Sequence, residues 1–396
     1  MYNYVASPTN TGTVEYITGD DALYMLMLCG QFADDTSILL LNITVTSEQL
    51  VIEDKVARSA VTYDDAYLPK NMYMVVGRDY EIYFDQICPN ASNYTFKFNL
   101  GTIYDNRVRI KLSSVAESNL KCLIYNADGT LARELITRLH GVNVASNNVL
   151  LLPFGDSLTN HCVWESELMN MANNITCVGA RSRTVKDSDN DDRVVYNEGR
   201  AGFTSFNYTS GSAYGTNASD SGGLESPNNR WYDPVGEKFS ASYYFTNNFP
   251  SGQIQPNMMT FFLGMNDLLT SHTVDDIVAN IQSMIDDILA YNSAIKIVLI
   301  TPQLRYLPTL ISEERLRFAE FARKMETMAS QYSNMVFLPL LIGMDSRNNY
   351  TTSTVTINTR SIKTEETASD ITHPSKEGYW QIADYVLGAV SYLDSI

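Results

Sequence analysis

From residue 147 onward the chain alternates short runs that are apolar on both faces with amphipathic helical segments. This alternation constrains the fold more than any other feature. The apolar runs are Val149-Leu-Leu-Leu-Pro-Phe154, Met259-Thr-Phe-Phe-Leu263, Lys296-Ile-Val-Leu-Ile300 and Met335-Val-Phe-Leu338. Strands with no polar face suit a parallel sheet covered by helices on both sides. Between them, Thr273-Val-Asp-Asp276 has the form of a capping box. The helix it opens places Ile277, Ile281, Met284, Ile285 and Ile288 on one face. Further helices are expected from Ser312 to about Gln331 and from Pro374 to about Leu393. The pattern predicts an α/β domain with three α/β/α layers and a parallel sheet. Its site is expected at the carboxyl ends of the strands.

Residues 1–145 read differently. Ile38–Val45, Met72–Val76, Tyr80–Phe84, Tyr94–Phe98 and Val108–Leu112 are short β-branched or alternating runs separated by turn-like clusters. They predict an all-β sandwich accessory domain over 1–145, ahead of a catalytic domain over 146–396. An insertion over 203–257 breaks the α/β rhythm. It is rich in Ser, Asn and Gly and carries Tyr208, Tyr214, Trp231, Tyr232, Tyr243, Tyr244 and Phe245.

The formal charge of −17 disfavours nucleic acid and anionic membrane surfaces as partners. No run approaches the roughly 18–20 apolar residues of a membrane span, and the first residues lack the basic and apolar regions of a signal peptide. Five cysteines, Cys29, Cys88, Cys122, Cys162 and Cys177, are scattered without metal-type spacing. They read as buried thiols in a reducing compartment. The expected location is cytoplasmic, or virion-associated if the chain is phage-encoded.

Four histidines are present, His140, His161, His272 and His373. His373 follows Asp370 by three residues on a loop before a helix, a spacing that lets a carboxylate fix the ring tautomer. The run 149–154 leads into Gly155-Asp156-Ser157-Leu158, which puts a serine on a strand-to-helix turn at the top of the sheet. The same residues also suit a plain helix cap. The next strand ends in Gly264-Met-Asn266-Asp267, placing a side-chain amide at the same edge. That amide can donate to a developing oxyanion or form an Asx-turn. Gly202, in Glu198-Gly-Arg-Ala-Gly202, supplies a turn whose backbone N–H is a further candidate donor.

In order and content, these four segments resemble the blocks of the SGNH hydrolase superfamily, the GDSL esterases and lipases, over roughly 147–393. Met265 in place of a smaller residue and the long insertion depart from the usual pattern. The resemblance implies a serine esterase with Ser157 as nucleophile, His373 as base and Asp370 as its orienting partner. The oxyanion donors would be the N–H groups of Ser157 and Gly202 and the amide of Asn266. No metal or cofactor is implied.

Members of the superfamily cleave lipid esters, thioesters and acetylated sugars. The aromatic insertion, the β region and the lack of a long apolar lid helix favour an acetylated poly- or oligosaccharide, with Trp231 and Tyr232 as candidate stacking platforms. The insertion can equally be a flap packed by its own aromatics. The alternatives are a short-chain lipid or aryl esterase, or a structural or binding component of a phage tail or surface assembly. Asp187-Ser-Asp-Asn-Asp-Asp192 with Glu198 has calcium-loop spacing but lacks the glycine such a loop needs, so a hairpin loop is expected. His161 and Cys162, just after Ser157, suggest a thiol enzyme less readily than an ordinary buried cysteine.

Overall fold

Alternating and wholly apolar runs separate into different sheets in the computed structural model of the protein. It describes residues 66–210, 229–310, 312–360 and 362–396, with three strands from the first 65 residues. The chain forms two units, Met1–Asp65 and Ala66–Ile396. In the first, strands β1 (Thr13–Val14), β2 (Ser37–Val45) and β3 (Leu50–Arg58) make an antiparallel sheet of order β1-β3-β2.

The second unit opens with small sheets built from β4 (Asn71–Val75), β5 (Asp79–Tyr83), β6 (Thr95–Phe98), β7 (Thr102–Ile103), β8 (Arg107–Lys111), β9 (Glu117–Tyr125) and β10 (Leu131–Val142). Their orders are β4-β10-β9-β6 and β5-β8-β7. Every pair is antiparallel except β4 with β10, which is parallel. Period-two burial explains them: Val108 and Ile110 in β8, and Leu120, Cys122 and Ile124 in β9, point inward. A single helical turn, α1 (Phe84–Ile87), interrupts the strands.

The α/β part follows. Its main strands are β11 (Val149–Gly155), β12 (Ile175–Cys177), β13 (Arg181–Lys186), β14 (Asp192–Gly199), β17 (Met258–Phe262), β18 (Lys296–Thr301) and β19 (Met335–Pro339). The short pairs β15 (Tyr232–Asp233) with β16 (Lys238–Phe239), and β20 (Thr352–Thr356) with β21 (Thr364–Ala368), lie outside that sheet. The helices are α2 (Ser157–Asn160), α3 (Val163–Met171), α4 (Ser205–Thr209), α5 (Ala241–Tyr243), α6 (Val274–Tyr291), α7 (Ser312–Ala329), α8 (Leu340–Gly343) and α9 (Lys376–Ser395). The expected parallel strands and long helices are all present. Thr273 and Asp276 form the capping box of α6, and its five predicted face residues are buried.

β11 pairs in parallel with β12, β14 and β17, and β18 and β19 extend the sheet beyond β17. The order β12-β11-β17-β18-β19 therefore reverses direction at β11. Right-handed crossovers on either side of such a point place helices on opposite faces of the sheet. The carboxyl ends of β11 and β17 flank the crevice where doubly wound folds bind ligands.

The small sheets pack directly on this core within the same unit. Arg78 pairs with Asp384 of α9 at 3.1 Å, and the Tyr80 hydroxyl donates to the Asp384 carbonyl at 3.3 Å. The Tyr385 hydroxyl donates to the Glu81 carbonyl. The change of composition near residue 146 thus marks a change of architecture inside the unit 66–396. Among the described residues, no helix is long and apolar enough to cross a membrane.

Candidate active site

The turn that carries Ser157 begins where β11 ends. A Cβ on Gly155 would run into the Phe262 carbonyl of β17 and the Thr159 side chain, so only glycine allows this close approach. Asp156 then caps α2, its Oδ1 accepting the Leu158 N–H at 2.9 Å. Ser157 opens the helix and is 6% exposed. Buried Leu158 and Thr159 hold the turn against the sheet.

The loop between β21 and α9 supplies the second half. Asp370 Oδ1 accepts the backbone N–H groups of Thr372 (2.9 Å) and His373 (3.0 Å), an Asx-type turn. Its Oδ2 lies 2.7 Å from His373 Nδ1. Across the site, His373 Nε2 lies 2.8 Å from Ser157 Oγ. Partial burial pushes the Asp370 carboxyl up, but bonds from the His373 backbone, the His373 ring and the Thr372 backbone outweigh it, and its pKa lies below the ordinary carboxylate value. Asp370 stays ionised, ready to hold an N–H or an imidazolium.

The candidate donors converge on one turn. The Phe203 N–H closes on the Arg200 carbonyl at 3.2 Å, which puts Gly202 at the third position with φ +76°, a conformation that favours glycine. The Arg200 N–H donates to the Gly155 carbonyl at 2.9 Å, stitching this turn to the end of β11. From the end of β17, Asn266 Nδ2 donates to the Phe203 carbonyl at 2.9 Å. A primary amide carries two N–H donors, so one serves the turn while the other can serve a ligand. Neighbouring Asp267, buried, accepts the Ser205 N–H at 2.9 Å and the Ser205 hydroxyl at 2.6 Å, anchoring α4 beside the turn.

Two buried acids underlie the site. Burial is the main reason the Asp156 carboxyl is pushed up to about 7, with nearby Asp267 adding to it and the Leu158 N–H opposing. With its carboxyl raised to about 7, Asp156 is only partly ionised at neutral pH, which lessens the negative charge beside Ser157. Glu198, at the end of β14, is fully engaged. It pairs with Arg200 Nη2 at 2.7 Å, the Tyr244 hydroxyl at 2.7 Å and the Ala180 N–H at 2.6 Å.

Trp231 requires a correction. It is fully buried, stacked on Tyr244 (3.9 Å between centroids) and Phe239 (5.2 Å), with Phe154 meeting it edge-on. Its faces are used by core packing and cannot take a sugar. This part of the insertion is a flap packed by its own aromatics; Tyr214 lies outside the described residues. Tyr232 is half-buried in β15 opposite Phe239. Residues 187–191 form the loop of the β13–β14 hairpin. There the Asp187 carboxylate is taken up by Arg193 Nε at 2.5 Å and the N–H groups of Asp189 and Asp191.

Cys162 is buried, and burial pushes its thiol well above the ordinary range, which disfavours a thiolate nucleophile. Cys88, Cys122 and Cys177 are likewise buried; Cys29 lies outside the described residues. Sequence reasoning missed Arg200, Asp267 and Tyr379 as residues beneath or beside the site. Proximity to the four motif segments was the available signal. His161 stands in the sequence as one of four histidines and as the neighbour of Cys162, and its ring lies 4.7 Å from that of His373.

Several solved structures are similar to this chain. A carbohydrate esterase family 3 protein from Talaromyces cellulolyticus is 16% identical over 62% of this chain and 98% of its own, with a TM-score of 0.40. A carbohydrate esterase family 2 enzyme with a carbohydrate binding domain, from Corynascus thermopiles (Myceliophthora fergusii), is 9% identical over 80% and 93%, with a TM-score of 0.38. A possible lipase from Chitinophaga pinensis is 16% identical over 60% and 96%, with a TM-score of 0.36. No curated protein matches the chain. The GDSL-like lipase/acylhydrolase family model matches residues 154–381, more than half of the chain and spanning every site segment from Ser157 to His373, and the protein belongs to this ester-hydrolysing family.

Proposed function

We propose that the protein is a serine esterase that removes acetyl or other short acyl groups from a carbohydrate through a Ser157–His373–Asp370 triad. The observation that carries the reading is the continuous line of contacts from Asp370 Oδ2 to His373 Nδ1 (2.7 Å) and from Nε2 to Ser157 Oγ (2.8 Å). A serine hydroxyl is a weak nucleophile until a base takes its proton. Here His373 Nε2 accepts that proton as Oγ attacks the ester carbonyl, and ionised Asp370 stabilises the resulting imidazolium. The oxyanion takes hydrogen bonds from the Ser157 and Gly202 N–H groups and from Asn266 Nδ2. His373 then protonates the leaving sugar oxygen. Water, deprotonated by the same ring, hydrolyses the acyl-enzyme.

Access supports a bulky alcohol partner. The Asp370 side chain is 51% exposed and that of His373 27%, so the base stands at the surface where a leaving sugar can reach it. Burial of Trp231 removes one support for sugar stacking and leaves Tyr232 as the insertion's candidate platform. In this reading residues 146–396 carry the chemistry and 1–145 form an accessory β region.

The test is acetate release from acetylated xylan, mannan and bacterial surface polysaccharides, beside aryl acetate, butyrate and octanoate, with Ser157→Ala as the blank. The expected outcome is serine-dependent acetate release from a polymer with poor octanoate turnover. Turnover of aryl esters alone would favour a short-chain lipid or aryl esterase. Full activity in Ser157→Ala would end the triad assignment, and a folded wild-type protein inactive on every ester would point to a binding component of a larger assembly.

A further inference from the structure

We propose that His161 is a positioning residue for the reaction, holding the His373 ring in line between Ser157 and Asp370. This inference rests on the triad reading above. The Asp370 side chain is half-exposed, and a polar contact open to water restrains its partners weakly. The terminal torsion of a histidine ring is also soft. Asp370 alone therefore leaves His373 room to turn away from Ser157, and a packed surface against one ring face supplies what is lacking.

His161 provides that surface, with ring centroids 4.7 Å apart and planes tilted by 37°. It is itself held in place. Its N–H donates to the Ser157 carbonyl at 3.1 Å, so it sits one helical turn from the nucleophile. Its Nδ1 lies 2.9 Å from the Tyr379 hydroxyl. Tyr379 is 3% exposed in the first turn of α9, the helix that begins just after His373. Burial, with the Asp156 and Glu165 carboxyl groups adding to it, holds the proton on this phenol, which can then donate to Nδ1. The turn that bears the nucleophile and the segment that bears the base are thus joined twice, once through Ser157–His373 and once through His161–Tyr379. A deviation in either element is opposed by the other contact.

The experiment compares wild type with His161→Ala, His161→Phe and Tyr379→Phe, reading kcat and KM on an aryl acetate and the rate at which a fluorophosphonate labels Ser157. His161→Ala is expected to lower kcat and labelling together by roughly 10- to 100-fold, the scale of a small misplacement of a reacting group, with KM little changed. His161→Phe restores a flat ring and is expected to recover most of that loss. Tyr379→Phe keeps the volume, removes the bond to His161 Nδ1 and is expected to lower kcat several-fold. A folded His161→Ala with wild-type kcat and labelling rate would overturn the proposal. If that variant does not fold, wild-type kcat in Tyr379→Phe overturns it equally. Failure of the reagent to label Ser157 in the wild type is a separate result, which would remove the serine reading and this inference with it.

Discussion

Asp156 sits between the glycine that makes the turn and the proposed nucleophile, and its proton links stability to pH. In the unfolded chain its carboxyl titrates near the ordinary 3.8, whereas in the folded protein burial moves it to about 7. Between those values the native state holds the extra proton, so stability falls as pH rises from about 4 to about 7. Buried Asp267, also raised chiefly by burial, acts in the same direction. Asp156→Asn keeps the cap acceptor for Leu158 and loses the titration. Its urea midpoint is expected to decline less than that of the wild type over this window, so that it gains relative stability toward pH 8. Parallel curves for the two proteins would show that Asp156 ionises normally. At this scale the sequence is legible where a side chain belongs to a short local pattern. Ser157, Asp370 and His373 are such residues, since an Asx-type turn and a strand-to-helix turn aim them. Trp231 is not. Whether an aromatic faces a ligand or a core is decided by how the chain folds back, here bringing the insertion's own Phe239 and Tyr244 and the distant Phe154 of β11 onto Trp231.

The element that carries Gly202 is held by a buried ion pair. Arg200 is 3% exposed and Glu198 fully buried, and the Tyr208 hydroxyl sits between the two strand ends, 2.8 Å from the Gly155 carbonyl of β11 and 3.1 Å from the Glu198 carbonyl of β14. Removing one partner of such a pair leaves an unpaired buried charge and costs about 3–5 kcal/mol. Arg200→Met is expected to destabilise the protein by that amount in urea melts, and to lower kcat because the turn bearing Gly202 loses its anchor. Arg200→Met with Glu198→Gln should recover part of the stability, since the amide still accepts from Tyr244 and Ala180. An Arg200→Met protein as stable as wild type would mean that water reaches Glu198. Elements with strong periodicity are readable without the fold, as the buried face and capping box of α6 show. β10 is not: Arg133, Glu134 and Arg138 mask it, and only its C-terminal half is buried, against neighbours that the sequence does not reveal.

On the scale of the whole molecule, the composition change near residue 146 suggests a cut, but the packing argues against making one there. The outer face of α9 is covered by the strands that precede residue 146. Besides Arg78–Asp384 and Tyr385–Glu81, the Ala145 N–H donates to Ser391 Oγ at 3.0 Å and Gln381 Nε2 to the Tyr83 hydroxyl at 3.0 Å. A Cβ on Gly388 would strike the Tyr73 carbonyl, a measure of how closely strand and helix meet. Gln86, buried, donates to the Met344 carbonyl at 2.6 Å on the far side. Deleting 1–145 would expose buried Tyr385 and Gly388, which meet Tyr80 and Tyr73, and strand these polar groups, whose unpaired cost is about 1–3 kcal/mol each if they stay buried. α9 also follows directly on His373, so its loosening would reach the proposed base. The chain lacking 1–65 is expected to melt cooperatively and hydrolyse an aryl acetate at the full-length rate, because every site residue lies in the unit 66–396. The chain lacking 1–145 is expected to aggregate or melt without cooperativity, and to show no Ser157-dependent turnover. Cooperative melting and normal ester hydrolysis in that shorter chain would show that the small sheets are a detachable accessory, and that α9 positions His373 without them.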